Sequence, residues 1–202
     1  AIEDYNQAIK LNPEFANAYN NRGIARSDLG DKKGAIEDYN QAIKLNPEFA
    51  NAYRNRGLAR SDLGDKKGAI EDYNQAIKLN PKYANAYNSR GIARSDLGDK
   101  KGAIEDYDQA IKLNPKYANA YDNRGWAIYK SGDKKGAIED YNQAIKLNPK
   151  LANAYNNRGI ARSDLGDQNG AIEDYNQAAE IYQKEGNTEW YQKSVYNIRT
   201  LQ

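Results

Sequence analysis

The chain has 202 residues with 30 basic and 28 acidic side chains, giving a net charge of +2. A balance this close gives no electrostatic reason to expect a nucleic-acid or membrane partner. With no His and no Cys, a histidine general base, a thiol nucleophile and the usual zinc ligands are excluded. No apolar run is long enough to span a bilayer and no signal-peptide pattern is found, so we expect a cytoplasmic location. The chain also lacks Met, and we expect it to be a fragment or a processed product.

A block of 34 residues is copied along the chain. The five prolines, at positions 13, 47, 81, 115 and 149, are separated by 34 residues each. Copying at a fixed period indicates a repeat architecture, in which neighbouring repeats bury one continuous core. We therefore predict a single solenoid over residues 1–202. Residues 1–13 are the second helix of a truncated repeat, and five repeats follow at 14–47, 48–81, 82–115, 116–149 and 150–183.

Each repeat is predicted to form two helices joined by a tight turn. In the first complete repeat we expect them at Phe15–Leu29 and Lys33–Leu45, because apolar residues recur there at helical spacing. Between them, Gly30 suits a left-handed conformation and Asp31 can cap the second helix. The Asn-Pro pair of each repeat, such as Asn46-Pro47, is interpreted as the cap and first turn of the next first helix.

At this spacing the chain closely resembles the tetratricopeptide repeat family over residues 1–183. The resemblance implies an all-α fold, a right-handed superhelical α-solenoid of antiparallel helix pairs. First helices would line its concave face and second helices its convex face, and Gly23 and Ala35 would let the two helices approach closely. The matching residues of one repeat are Tyr19, Gly23, Ala35, Tyr39, Ala42 and Pro47.

The repeat departs from the family pattern at Arg22 and Arg26, where the family usually has Leu and an aromatic residue. A guanidinium between helices is costly unless it is paired. We expect an ion pair between Arg22 and Asp38 of the facing helix in each repeat. The alternative is that both groups lie at a solvated rim.

The two ends of the chain differ from the internal repeats. Residues 187–202 break the period and predict a C-terminal capping helix whose N-cap residue is Thr188, as terminal repeats require a polar outer face. At the other end Ala1 lies within a second helix, so we expect an exposed apolar edge through which copies of the chain could associate. The apolar face of the capping helix is formed by Tyr191, Val195, Ile198 and Leu201.

No arrangement of residues indicates catalysis, and we expect no enzymatic activity, no cofactor and no metal. In the family, inward side chains of the first helices contact extended peptides. Asn17 and Asn21 hold such positions, and an amide can both donate to and accept from a peptide bond. Their copies would then grip a peptide backbone, or they are polar filler in a copied repeat. Chaperone-binding members hold a C-terminal carboxylate with several basic residues, and we expect no such clamp because only Arg54 is basic in those slots.

The fourth repeat differs most from its neighbours. Trp126, Tyr129 and Lys130 replace Ile, Ser and Asp, and aromatic anchors commonly carry binding energy. We predict a specificity patch there, with sequence drift or better packing as the alternative. The full set of predicted peptide-binding residues is Asn17, Asn21, Asn51, Arg54, Asn55, Asn85, Asn88, Asn119, Asp122, Asn123, Trp126, Tyr129, Lys130, Asn153 and Asn157.

These observations favour a protein-interaction scaffold that binds an extended segment of a protein or peptide partner. One alternative is a structural element that self-associates by end-to-end stacking of its repeats. Another is an engineered array, which the near-identity of the repeats suggests and the irregular fourth repeat argues against. Long arrays of near-identical repeats resemble proteins encoded in bacterial genomes.

Overall fold

The computed structural model describes all 202 residues as twelve α-helices with no strand. They form two compact bodies, an N-terminal body of Ala1–Gly102 and a C-terminal body of Ala103–Gln202. The helices are α1 (Ile2–Leu11), α2 (Ala16–Asp28), α3 (Lys32–Leu45), α4 (Ala50–Asp62), α5 (Lys66–Leu79), α6 (Ala84–Asp96), α7 (Lys100–Leu113), α8 (Ala118–Lys130), α9 (Lys134–Leu147), α10 (Ala152–Ser163), α11 (Gln168–Lys184) and α12 (Thr188–Leu201).

The two helices of a repeat form an antiparallel hairpin. In the first complete repeat, Arg22 of α2 contacts Asp38 of α3, and Arg26 contacts Gly34. Residues later in α2 therefore contact residues earlier in α3, so the two helices run antiparallel. The resemblance implied this arrangement, and the structure confirms it.

The turn within each hairpin follows from two residues. Gly30 has φ 89°, a left-handed conformation that L side chains rarely adopt. Asp31 then caps α3, because its carboxylate accepts a hydrogen bond of 2.9 Å from the backbone N–H of Gly34. Both sequence predictions for this turn are confirmed.

The interpretation of the Asn-Pro pair was wrong. Asn46 follows the last residue of α3 in an extended conformation, and its side-chain Oδ1 accepts a hydrogen bond of 3.1 Å from the backbone N–H of Glu48. Pro47 lies in this turn, and α4 begins only at Ala50. Proline cannot continue the preceding helix and asparagine favours local turns, so the pair ends the second helix rather than starting the next first helix.

Small residues and one tyrosine per repeat make the core. Tyr39 is 2 % exposed and packs against Ala35 of its own helix and Ala59 of the next first helix. A Cβ atom on Gly23 would lie 2.6 Å from Cε1 of this ring, closer than real Cβ contacts. The ring therefore needs glycine opposite it, and each such tyrosine joins its own hairpin to the following repeat.

The expected Arg22–Asp38 ion pair is present. Arg22 Nε and Nη2 donate to the two carboxylate oxygens of Asp38 at 3.0 and 2.6 Å. The side chains are 16 % and 4 % exposed, so the solvated-rim alternative is wrong. The hydrogen bond to Asp38 raises the pKa of Arg22. We call this pair of hydrogen bonds from one guanidinium to one carboxylate the fork. It recurs at Arg56–Asp72, Arg124–Asp140 and Arg158–Asp174.

The arginine of each fork also contacts the preceding repeat. Arg22 Nη1 donates to Asn6 Oδ1 of α1 at 2.8 Å, and its guanidinium lies 5.5 Å from the centre of the Tyr19 ring. Arg56 repeats this contact with Asn40 of α3. One guanidinium therefore links its own hairpin to the second helix of the repeat before it.

In the fourth repeat the carboxylate of the fork pairs with fewer cations than in other repeats. Elsewhere a second arginine reaches the same carboxylate, as Arg162 does to Asp174 at 3.0 Å. In the fourth repeat Ile128 stands in that position, so Asp140 has Arg124 as its cation. Arg124 also pairs with Asp108 at 2.6 Å, where the other repeats have asparagine.

The chain ends on the predicted helix, α12, which packs against α11. Its cap is Asn187 rather than Thr188, because the Asn187 side chain accepts a hydrogen bond from the Trp190 N–H. The Trp190 ring stacks on Tyr182 of α11, with centroids 6.0 Å apart. The predicted apolar face of α12 is half-buried.

We predict that Arg124→Leu lowers the free energy of unfolding by about 3 kcal/mol, because it leaves the Asp140 carboxylate buried without a cation. Arg158→Leu is the matched control and should cost about 1–2 kcal/mol, since Arg162 still pairs with Asp174. Urea denaturation followed by circular dichroism measures both. An Arg124→Leu variant as stable as the parent, or no more damaging than Arg158→Leu, would contradict the assignment.

Candidate functional site: the first-helix face

The candidate site is the open surface of the first helices, which we call the first-helix face. It is formed by α2, α4 and α6 in the N-terminal body and by α8 and α10 in the C-terminal body. An outer row of asparagines on it is exposed in every repeat. The row consists of Asn17, Asn51 and Asn85 in the first body and Asn119 and Asn153 in the second.

An inner row of polar residues lies between successive first helices. Asn20 is buried, and its Oδ1 accepts a hydrogen bond of 3.1 Å from Asn55 Nδ2 of the next repeat. Asn20 Nδ2 in turn donates to Asn21 Oδ1 at 3.2 Å. These amides therefore hold α2 against α4, and Asn21 alone among the three is exposed.

Several predicted binding residues belong to this inner row. Asn88 and Asp122 are 5 % and 7 % exposed, so they lie in the layer between helices rather than on the open face. Asn157 is half-buried and donates to Asp122 Oδ1 at 3.0 Å. Neighbouring residues on a helix point about 100° apart, which separates the buried row from the exposed one.

Asp122 is a carboxylate where the other repeats have an amide or Arg54. Burial raises its pKa from 3.8 to about 6, and the hydrogen bond from Asn157 acts in the opposite direction. Tyr141 of α9 and Tyr182 of α11 also face it, and burial raises the pKa of both hydroxyls. No cation balances this group, so its ionisation near neutral pH is unfavourable.

The structure brings the predicted aromatic patch together. The rings of Trp126 and Tyr129 stack with centroids 5.3 Å apart, and Lys130 Nζ lies 5.2 Å from the centre of the Trp126 ring. Tyr129 also packs on the core around Tyr141 and donates a hydrogen bond of 2.8 Å to Asp164. Tyr129 is thus both part of the patch and part of the contact with the next repeat.

One cavity on the first-helix face is lined by two predicted residues, Arg54 and Asn55, together with others that were not in the predicted set. It lies between α2 and α4 and has a volume of about 240 Å³. Its apolar lining residues, Ile24 and Leu58, occupy the same position in successive repeats, a signal that the sequence prediction did not use. The lining residues are Ile24, Ser27, Asp28, Tyr39, Arg54, Asn55 and Leu58.

Family models for this type of repeat match most of the chain. A model described as a TPR repeat matches residues 1–30, 25–64, 59–98 and 127–166. Two models described as tetratricopeptide repeats match residues 84–117 and 152–185. The chain belongs to the tetratricopeptide repeat family.

Solved structures of this family are similar to the chain. A crystal structure of MamA shares 30 % identity with a TM-score of 0.70, covering 82 % of this chain and 96 % of MamA. YrrB, described as a TPR protein with an unusual peptide-binding site, shares 23 % identity with a TM-score of 0.69, covering 90 % and 93 %. A thermophilic TPR protein of Thermus thermophilus shares 20 % identity with a TM-score of 0.77, covering 91 % and 98 %. The last two show the fold alone.

No curated protein matches the chain. None of the twelve helices is both long enough and apolar enough to cross a membrane.

We predict that Asp122→Asn stabilises this tetratricopeptide repeat protein at pH 7.5 by up to about 3 kcal/mol. Because the folded-state pKa of Asp122 is raised, its contribution to stability is fully present below about pH 4 and is lost as the pH rises through about 6. Each unit by which folding raises the pKa lowers the free energy of unfolding of the ionised protein by about 1.4 kcal/mol. The asparagine keeps the acceptor for Asn157 without the charge.

Urea denaturation at pH 7.5 and pH 4 measures this effect, which should nearly vanish at pH 4. Asp164→Asn is the control with the same change of charge. The hydrogen bond from Tyr129 lowers the pKa of Asp164, so this control should not stabilise the protein at pH 7.5. Equal effects of Asp122→Asn at both pH values would show that Asp122 is not held in an unfavourable ionised state.

Proposed function

We propose that this chain is an interaction scaffold that binds an extended segment of a partner protein on its first-helix face. The exposed outer row supports the proposal most directly, because Asn17, Asn51 and Asn85 of the N-terminal body expose their amides while those of the inner row bond to one another. Asn153 differs from the rest of the row, since its Oδ1 accepts a hydrogen bond of 2.6 Å from Tyr182. An extended peptide has unpaired N–H and C=O groups, and each amide can bind both kinds. YrrB, which is similar in fold, is described as having a peptide-binding site.

The spacing of the first helices suits such a ligand. Packed helices lie about 8–10 Å apart, and an extended chain rises about 3.3 Å per residue. Successive first helices therefore meet about every third residue of the ligand. Asn17, Asn51 and Asn85 would each bind the backbone at this interval, independently of the ligand's side chains.

The aromatic patch would add selectivity in the C-terminal body. Trp126 stands where the other repeats have Ile or Leu, and its half-buried ring contacts Tyr129 and Lys130 of the same helix. A large ring held by such contacts loses little conformational freedom on binding. We propose that it binds an apolar side chain of the partner.

We predict that Trp126→Ile weakens peptide binding at least about tenfold, because it restores the residue of Ile24 and Ile92 and removes the aromatic anchor. The measurement is fluorescence anisotropy with decapeptides selected by the parent protein from a degenerate synthetic library. Glu139→Gln, on an exposed position of the second helix α9, is the control and should bind as the parent does. Melting curves confirm that both variants are folded.

Three results separate the possible outcomes. Loss of binding with Trp126→Ile alone supports the patch. Equal binding by all three proteins would show that Trp126 is a packing residue and that the patch is not used. A library from which the parent selects no peptide would contradict the proposed function itself.

A further inference from the structure

Arg54 is an unusual cation on the first-helix face of the N-terminal body. It is half-buried, and it stands where the other repeats have Asn20, Asn88, Asp122 and Asn156. Its neighbours on α4, Arg56 and Arg60, both pair with Asp72, whereas Arg54 forms no ion pair. Its Nε is buried without a hydrogen-bond partner. The Tyr83 hydroxyl lies beside Arg54, which opposes the rise in the pKa of Tyr83 caused by burial. No carboxylate pairs with Arg54, and a half-buried guanidinium is stabilised most by a carboxylate that it can bind with two hydrogen bonds.

Ser89 of the following repeat has changed together with Arg54. At this position of the second repeat Asn55 donates from its amide backward to Asn20, and Asn157 of the fifth repeat donates in the same way to Asp122. Arginine has no acceptor for such an amide, so an asparagine at 89 would place two donors against each other. Ser89 is smaller and buried. The inner row is therefore rebuilt around Arg54 rather than interrupted by a single substitution.

Arg54 lines the 240 Å³ cavity between α2 and α4 together with groups that complement a charged side chain. Ile24 and Leu58 provide apolar contacts for its stem. The exposed Asp28 also lines the cavity, and its counterpart Asp62 pairs with Lys32 of the preceding repeat. Arg54 is therefore the charged group that the cavity offers to an acidic side chain.

We infer that this cavity binds an internal Asp or Glu side chain of the extended partner segment through Arg54. The inference rests on the proposed function and adds the chemistry of the partner. It differs from a clamp for a C-terminal carboxylate, because the sequence supplies one basic residue here rather than several.

The test uses a degenerate decapeptide library with amidated C-termini, screened against the whole chain. We expect the parent protein to select Asp or Glu at one position. The variant Arg54→Asn with Ser89→Asn recreates the Asn20–Asn55 arrangement of the neighbouring repeat, so it should fold. For a selected peptide and its Glu→Gln analogue, we expect the parent to favour Glu at least about tenfold and the double variant to show no preference.

Failure of this inference is distinct from failure of the proposed function. Peptides selected without an acidic residue, or a preference for Glu that persists in the double variant, would overturn the inference while leaving peptide binding intact. Binding through Arg54 that appears only when the screen is repeated with free C-terminal carboxylates would overturn it in favour of terminal recognition. No selected peptide from either library would overturn both.

Discussion

The fork between Arg22 and Asp38, with its copies, is the interaction on which the rest of the structure depends. It joins the two helices of a hairpin, and through Asn6 it reaches the preceding repeat, so one guanidinium fixes three helices. A core of alanines with one tyrosine per repeat has little apolar area per hairpin, and stability comes from summing contacts between neighbours. The fork places those neighbours, and the exposed asparagine row follows from that placement.

The need to pair the buried charges of the fork also explains two substitutions that distinguish the fourth-repeat junction from the others. Ile128 removes one arginine from the junction of the fourth repeat, and Asp108 gives Arg124 a second carboxylate. On the first-helix face the substitutions again come in neighbouring sets, Arg54 with Ser89 and Trp126 with Tyr129 and Lys130. Each set alters one place on a surface that is otherwise copied. If the outer asparagines bind a peptide backbone as proposed, the altered place in each body would select among the side chains of the partner.

Most of the fold could be predicted from the sequence, because the same helix and turn signals recur every 34 residues and support one another. The fork was predictable, since an arginine between helices needs a partner and Asp38 was on the facing helix. The Asn-Pro pair was misplaced because both residue types favour the end of one helix and the start of another, and only the backbone decides. The face was harder to predict. Asn20 and Asn21 are identical in type, and which one is buried depends on the rotation of each first helix against the next, which no pattern in the sequence specifies.

The central claim is that the exposed asparagines bind the backbone of an extended partner. The most direct measurement is NMR of the side-chain amide groups of asparagine, recorded while a library-selected peptide is added to the ¹⁵N-labelled chain. If the exposed asparagines bind it, the signals of Asn17, Asn51 and Asn85 in the N-terminal body shift with the peptide, while those of the occupied inner-row Asn20 change least. Shifts confined to the second helices or to α12, with the outer-row amides unchanged, would contradict it.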